Sequence, residues 1–272
     1  MGPSRFDLSS TYPVTSAQVD TYHRDGHILL RNLASHEEVA HFRPLIVDLV
    51  DEIARTRDLW VRLDDSRKLF RQVINVWRMS EAIKELIFAK RFARVAAQLM
   101  GVKGVRLYHD RALIKDPGGT ATPWHKDHYS WPLATHNTTK FWLALSDISL
   151  DMGAMVFASG THRGAHFPEL PISLGSEEML ARMLDTYKVP TMSYIMRAGD
   201  VTFHSGDVLH SALENTSPHR RELVAIMYYA DGTLVLEPNN EHRKADLKEF
   251  LPGLKPGDIA ATEMNPLLFE SP

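Results

Sequence analysis

The periodicities of the chain predict an α+β fold, and three observations carry that reading. Apolar residues recur at helical spacing up to about residue 101. From residue 103 onward, short β-branched and aromatic runs alternate with turn residues. No internal repeat, low-complexity run or composition break divides the 272 residues. Helices first and strands afterwards predict one domain over 1–272: a helical part at about 16–101, an antiparallel barrel or sandwich at about 103–231, and an irregular tail holding Pro238, Pro252, Pro256 and Pro266.

Residues 16 to 24 read as a short helix, capped by Ser16 and ended by Gly26. His27-Ile28-Leu29-Leu30 is strand-like. Ser35-His36-Glu37-Glu38 is a capping-box pattern that opens a helix to about Arg57. Its stripe of Val39, Phe42, Ile46, Leu49, Val50 and Ile53 is core. Residues 58 to 79 mix Trp60, Phe70 and Trp77 with many charges and have poor periodicity. They read as a loop over the core or as a substrate lid. Ser80 to Leu86 and Arg91 to Met100 are helical, with Gly101 as C-cap. Strands are expected at Val105 to Ile114, Lys140 to Leu145, Met155 to Ala158, Val189 to Met196, Val201 to His204 and Glu222 to Tyr229. Leu174 to Thr186 reads as an inserted helix.

Composition narrows the function classes. A hydrophobic fraction of 44% and a charged fraction of 24% are ordinary for a globular protein. A net charge of −3 gives no case for nucleic acid or an anionic membrane. The absence of cysteine excludes disulfides, thiolate zinc sites, iron–sulfur clusters and a cysteine nucleophile. It also fits a reducing compartment, and a cytoplasmic location is expected. No stretch approaches 18 consecutive apolar residues, so no membrane span is expected. Met1 to Thr11 lacks an apolar leader core, and Phe6 stands where a myristoylation motif at Gly2 needs Ser or Thr. Oligomeric state is not legible.

The chemistry centres on Thr122-Pro123-Trp124-His125-Lys126-Asp127-His128-Tyr129-Ser130-Trp131. In extended chain, residues i and i+2 project from one face, so His125 and Asp127 point together. They make two thirds of a non-haem iron facial triad, which needs one further His and keeps open positions. His210, after Gly206-Asp207, is the candidate third member. A bare His-x-Asp is weak. His23/Asp25 and His36/Glu38 share the acidic spacing but look helical, where i and i+2 diverge. His204 reads as a supporting or core histidine. A 2-oxo acid on such an iron needs a buried cation for its far carboxylate, and Arg suits this better than Lys. Arg221 and Arg220 compete for that role. Both faces of their strand are apolar, so side-chain parity does not choose.

Taken together, His125-x-Asp127, Trp142-Leu143-Ala144-Leu145, Gly153-Ala154-Met155, Ser159-Gly160-Thr161-His162-Arg163, Gly199-Asp200-Val201, and His210 with Asn215 and Arg221 resemble the phytanoyl-CoA dioxygenase family. The likeness is colinear from about residue 105 to 231. It implies a double-stranded β-helix (jelly-roll, cupin-like) core flanked by helices, with Fe(II), 2-oxoglutarate and dioxygen. It maps His125, Asp127 and His210 onto iron and Arg221 onto the distal carboxylate of 2-oxoglutarate. Trp131 and Trp142 are implied to pack on the cosubstrate, with His109 as a further contact. Ala212 departs from the family, which often has a small hydroxyl residue there. Ser211 or a water is the expected substitute.

The resemblance implies hydroxylation of an unactivated C–H bond with release of succinate and CO2, and the large side chains Phe70, Trp77 and Tyr129 favour a small, partly apolar metabolite. The alternatives are desaturation or cyclisation by the same oxidant, and a non-catalytic jelly-roll binding protein. Halogenation is disfavoured because Asp127 fills the position a halide would need. Residues 60 to 77 and the 128–137 loop are the expected covers of the site.

Overall fold

A computed structural model describes residues 6–164 and 166–272. Residues 1–5, which include Gly2 and the first part of the Met1 to Thr11 stretch, lie outside the described residues. The helical part begins with α1 (Ser16–Asp25) and α2 (His36–Ala54). Thr15, not Ser16, caps α1, through a reciprocal box with Gln18. Ser35 and Glu38 form the expected box on α2. Each such cap is worth about 1 kcal/mol. Between these helices runs β1 (His27–Leu30). The helical part ends with α3 (Glu81–Ile87) and α4 (Lys90–Met100), the latter stopped by Gly101 in the left-handed region.

Residues 58 to 79 are not the irregular loop that the sequence suggests. They form a hairpin of β2 (Trp60–Arg62) and β3 (Lys68–Ile74), followed by a short 3-10 turn at Val76–Arg78. Along β3, Leu69, Arg71 and Val73 are buried and alternate with half-buried neighbours. Arg71 hides that alternation in the sequence, because its charge is buried against Asp51 and Asp116.

The barrel strands are β4 (Gly104–Lys115), β5 (Thr122–His125), β6 (Thr138–Ala144), β7 (Met155–Ala158), β8 (Thr191–Ser193), β9 (Val201–Ser205), β10 (His210–Ala212) and β11 (Arg221–Ala230). Between β7 and β8 lies the inserted helix α5 (Leu174–Thr186). The larger sheet runs β1-β9-β6-β11-β4-β3-β2 and the smaller runs β5-β10-β7-β8, with antiparallel pairing in both. From β4 onward the chain crosses repeatedly between the two sheets, which is the winding of a jelly roll. The C-terminal stretch also differs from expectation. It contains α6 (Glu241–Phe250) and β12 (Leu267–Glu270), which pairs with β4.

Two cores lie on opposite faces of the larger sheet. Outside, Phe141, Phe203, Val224, Ile226 and Tyr228 pack under α2, α3 and α4. Inside the barrel, Trp131, Trp142, Phe157, Leu223, Ala225 and Met227 pack together, and Phe250 and Leu251 after the barrel plug its end. Full burial of each Val, Leu, Ile, Phe or Met among them is worth about 1.5–3 kcal/mol. Among the described residues, no helix is long and apolar enough to cross a membrane.

Candidate metal centre and cosubstrate pocket

The smaller sheet builds the candidate centre. β5 and β10 pair so that His125 sits opposite His210. Lys126 keeps extended torsions (φ −111°, ψ 132°) before a 3-10 turn begins at Asp127. Asp127 therefore returns to the His125 side. One ligand atom from each of His125, Asp127 and His210 lies within 4.8 Å of the others. His125 Nε2 is 4.0 Å from Asp127 Oδ1, and His210 Nε2 is 3.6 Å from Asp127 Oδ2.

The two imidazoles are oriented by the same device. His125 Nδ1 is 2.7 Å from the Pro123 carbonyl, and His210 Nδ1 is 3.0 Å from the Val208 carbonyl. A carbonyl can only accept, so each Nδ1 carries the proton and each Nε2 keeps its lone pair. Burial holds both rings below the usual imidazole pKa, in the neutral form that binds metal. Asp127 shows the opposite balance. Burial alone would raise its pKa, but the Lys140 ammonium, 3.0 and 3.2 Å from its two oxygens, holds it well below the carboxylate range. The decoys His23/Asp25 and His36/Glu38 lie on helices α1 and α2, away from this group.

His125, Asp127 and His210 line a cavity of about 210 Å³. Arg221, Trp131, Trp142, Ser211 and Ala212 also line it. Arg221 is buried, with its guanidinium 5.0 Å over the Trp142 ring. It donates to the Gly153 carbonyl, while its Nε has no partner. With no acid beside it, burial alone pulls its pKa down to about 9. Gly153 is needed there: it has a φ of +79°, and a Cβ would stand 2.8 Å from the Leu213 carbonyl and from Lys115. Arg220, the competitor, points outward and is already paired with Asp51 and Asp116. Both faces of β11 are apolar because one packs under helices and the other fills the barrel.

Trp131 is seated by Gly206, where a Cβ would lie 2.4 Å from the indole. His109 is a different case. It is buried behind the cavity wall, its ring centroid 4.4 Å from that of Phe250 and tilted to it by 33°, and does not line the cavity. Arg111 takes the wall position instead. Sequence reading missed Arg111, Lys140, Gln72 and His242, all of which line the cavity. His204 lies 3.4 Å from Asp127 Oδ2, a supporting position. The only available signal for the two cations was a charge inside a strand that otherwise reads as buried on both faces.

The donor set fits the groups that the sequence implied. Two neutral imidazoles and one carboxylate, with no thiolate, suit a mononuclear Fe(II) with open positions. A buried guanidinium with an orphaned N–H and no acidic partner suits a carboxylate.

Comparison with known proteins agrees. The phytanoyl-CoA dioxygenase family profile matches residues 22–223. An ectoine dioxygenase of Nocardia farcinica is 26% identical over 254 residues, covering 86% of this chain and 84% of the relative. The non-heme alpha ketoglutarate dependent carbocyclase SnoK from nogalamycin biosynthesis superposes with a TM-score of 0.79 at 24% identity, over 93% of this chain and 96% of that one. EctD from S. alaskensis with 2-oxoglutarate and 5-hydroxyectoine gives 0.72 at 21% identity, over 87% and 85%. A profile match across most of its length means that the chain belongs to the phytanoyl-CoA dioxygenase family, and it is a dioxygenase dependent on iron and 2-oxoglutarate.

Proposed function

We propose that His125, Asp127 and His210 hold the iron and that Arg221 holds the distal carboxylate of 2-oxoglutarate. The observation that carries this reading is the convergence of the three ligand atoms, with both imidazoles presenting Nε2. Lys140 keeps Asp127 ionised and ready to bind metal. Trp142 lies under the Arg221 guanidinium and fixes its direction, while Trp131 closes the adjoining wall. Ser211, on the wall beside Ala212, takes over the hydroxyl contact that Ala212 cannot make. His109 acts through Arg111, 3.3 Å away, rather than on the cosubstrate.

Bound there, iron with 2-oxoglutarate and dioxygen supplies the oxidising chemistry, with succinate and CO2 as coproducts. The chain's own part is to orient and to exclude water. Phe70, Tyr129, Leu170, Ile172 and Met155 give the cavity apolar walls. They favour a small, partly apolar substrate and hydroxylation of one of its C–H bonds. A small-molecule substrate agrees with the relatives named for ectoine. The cytoplasm, where iron stays ferrous, suits a chain without cysteine.

Succinate formation is the test. The Fe(II)-loaded chain is expected to bind one iron and convert 2-oxoglutarate to succinate. A chain that binds iron and 2-oxoglutarate with no turnover, in a broad metabolite screen, is the binding protein instead.

A further inference from the structure

The cavity carries more positive charge than its cofactors use. Among the described residues lining it, Arg111, Lys126, Lys140 and Arg221 are cationic, and Asp127 is the one carboxylate. Fe(II) and the 2-oxoglutarate dianion cancel each other, so loading the centre leaves that excess in place. Lys126 is turned aside, its Nζ 2.9 Å from the Phe167 carbonyl. Lys140 rests on Asp127, whose charge a bound metal would share. Arg221 and Arg111 both lack an ion pair among the described residues, and with Arg221 assigned to 2-oxoglutarate, Arg111 is the one without a proposed ligand.

Arg111 is held but not neutralised. Its Nη1 donates to Gln72 Oε1 at 3.3 Å, and its Nη2 lies 3.3 Å from His109 Nε2. Its Nε is buried without a partner. Asp110 and Asp246 feel its charge, yet burial pushes both carboxyl groups up to about 7, and Asp246 bonds the Tyr108 hydroxyl instead. Strand register explains the space in front of it. Arg111 on β4, Ala225 on β11 and Trp142 on β6 form one row across the barrel interior. The next row is His109, Met227 and Lys140. Ala225 is the small residue between the first pair and leaves room there. Arg221 stands four residues back along β11, roughly 13 Å at ~3.3 Å per residue. The cavity thus has two cationic poles with the metal ligands facing them.

We propose that Arg111, seconded by Lys140, is an anion subsite that determines specificity. The primary substrate is a small amphiphilic acid whose compact oxyanion, a carboxylate or a phosphonate, seats on Arg111. Its apolar part lies against Phe70 and Leu170, which also line the cavity. The inference rests on the reading of the centre given above, with Arg221 already taken by 2-oxoglutarate. A buried Arg fork recognises planar or tetrahedral oxyanions through paired charge-assisted hydrogen bonds, and an amide of the same shape cannot answer its charge.

The test is calorimetric binding to the full chain loaded with Mn(II) and 2-oxoglutarate. The probes are cyclohexyl, benzyl and heptyl cores, each as carboxylate, phosphonate and primary amide. At least one core is expected to bind as an anion about tenfold or more tightly than as its amide. Whichever anion leads identifies the headgroup. Arg111→Gln is expected to remove that preference with the 2-oxoglutarate Kd changed less than about threefold, and Arg111→Lys to keep part of it. Thermal melts establish that both variants are folded. Equal binding of anion and amide for every core overturns the proposal. So does an Arg111→Gln chain that loses 2-oxoglutarate binding and keeps the preference, because Arg111 then serves the cosubstrate. A wild-type chain that takes up neither Mn(II) nor 2-oxoglutarate overturns the underlying reading, and this proposal with it.

Discussion

The two sheets of the barrel differ in almost every respect except that they face each other. The smaller sheet is made of strands of 4, 3, 4 and 3 residues and is backed by a cluster of Ala158, Phe167, Leu180, Leu184 and Leu209. The larger sheet has strands of 12 and 10 residues at its centre, with three helices packed behind it. The neutral nitrogen donors and the carboxylate come from the thin side. Arg111, Lys140 and Arg221 come from the thick side. A metal supplies bond energy on arrival and can order a modest scaffold. A cation recognising an organic ligand gains only what its own rigidity preserves.

The largest expected effect breaks the thin side. His125→Ala, Asp127→Ala and His210→Ala each abolish metal-dependent 2-oxoglutarate turnover while the circular dichroism of the fold persists. His204→Ala, beside Asp127, costs about 10–100-fold. If His210→Ala stays active and His204→Ala is dead, the third ligand is His204. Next comes the thick side. Arg221→Ala raises the 2-oxoglutarate KM by the equivalent of about 2–5 kcal/mol, on the order of 30-fold or more. Arg220→Ala changes it little, since that side chain pairs with Asp51 and Asp116 away from the cavity. The reverse order in steady-state kinetics would move the cosubstrate site.

Metal loading sharpens the comparison. At a hundredfold excess over Kd, binding stabilises the folded chain by about 2.7 kcal/mol. Hydrogen exchange is expected to slow in β5 and β10 and to change little in β4 and β11. Equal slowing in both sheets would mean that the thin side is already as firm as the thick one. The smallest effect concerns the seam between them. Asp207 lies 3.0 Å from His128 Nδ1 and 2.9 Å from His136 Nδ1. Burial would lower the His128 pKa, but the hydrogen bond and charge of Asp207 raise it. Burial would raise that of Asp207, but the two histidines lower it. A raised histidine contributes stability that is complete below pH ~6.5 and is lost as pH rises through its folded pKa. A lowered carboxylate contributes above pH ~3.8 and loses it as pH falls. Asp207→Asn should therefore cost about 1–2 kcal/mol near pH 5.5 and less at pH 9. Melting curves at the two pH values check this, and a constant difference would remove His128 from the account.

What the sequence made legible follows the same division. The shared side of His125 and Asp127 was legible because extended chain has a fixed side-chain parity and Lys126 keeps it, while His210 was chosen from its place after Gly206-Asp207. Parity could not separate Arg221 from Arg220, because a strand buried on both faces has no outside to mark, and only the family resemblance chose Arg221. The β2–β3 hairpin was obscured by Arg71, a charge at an inward position whose partners, Asp51 and Asp116, are distant in sequence. Arg111 and Lys140 stayed invisible for a related reason. A cation within a strand reads as a solvent-facing residue until the opposite sheet is known. Helix α6 buries only Arg243 and Phe250 fully, too few positions to set a period.

That last helix has a consequence for biosynthesis. A ribosome delivers the chain N-terminus first, so both histidines, Asp127 and Arg221 emerge before His242, which lines the cavity, and Phe250, which plugs the barrel. A nascent chain could bring its proposed metal ligands together while one wall was still unmade. Arg243 joins the two events, since it reaches the His128 carbonyl at 3.2 Å and Glu169 at 2.8 Å and so docks the late helix onto the early loop. Stalled chains ending near residue 235 are expected to take up metal yet consume 2-oxoglutarate wastefully, and those ending after residue 260 to lose that leak. Identical leakage at both lengths would show that the late helix shields nothing.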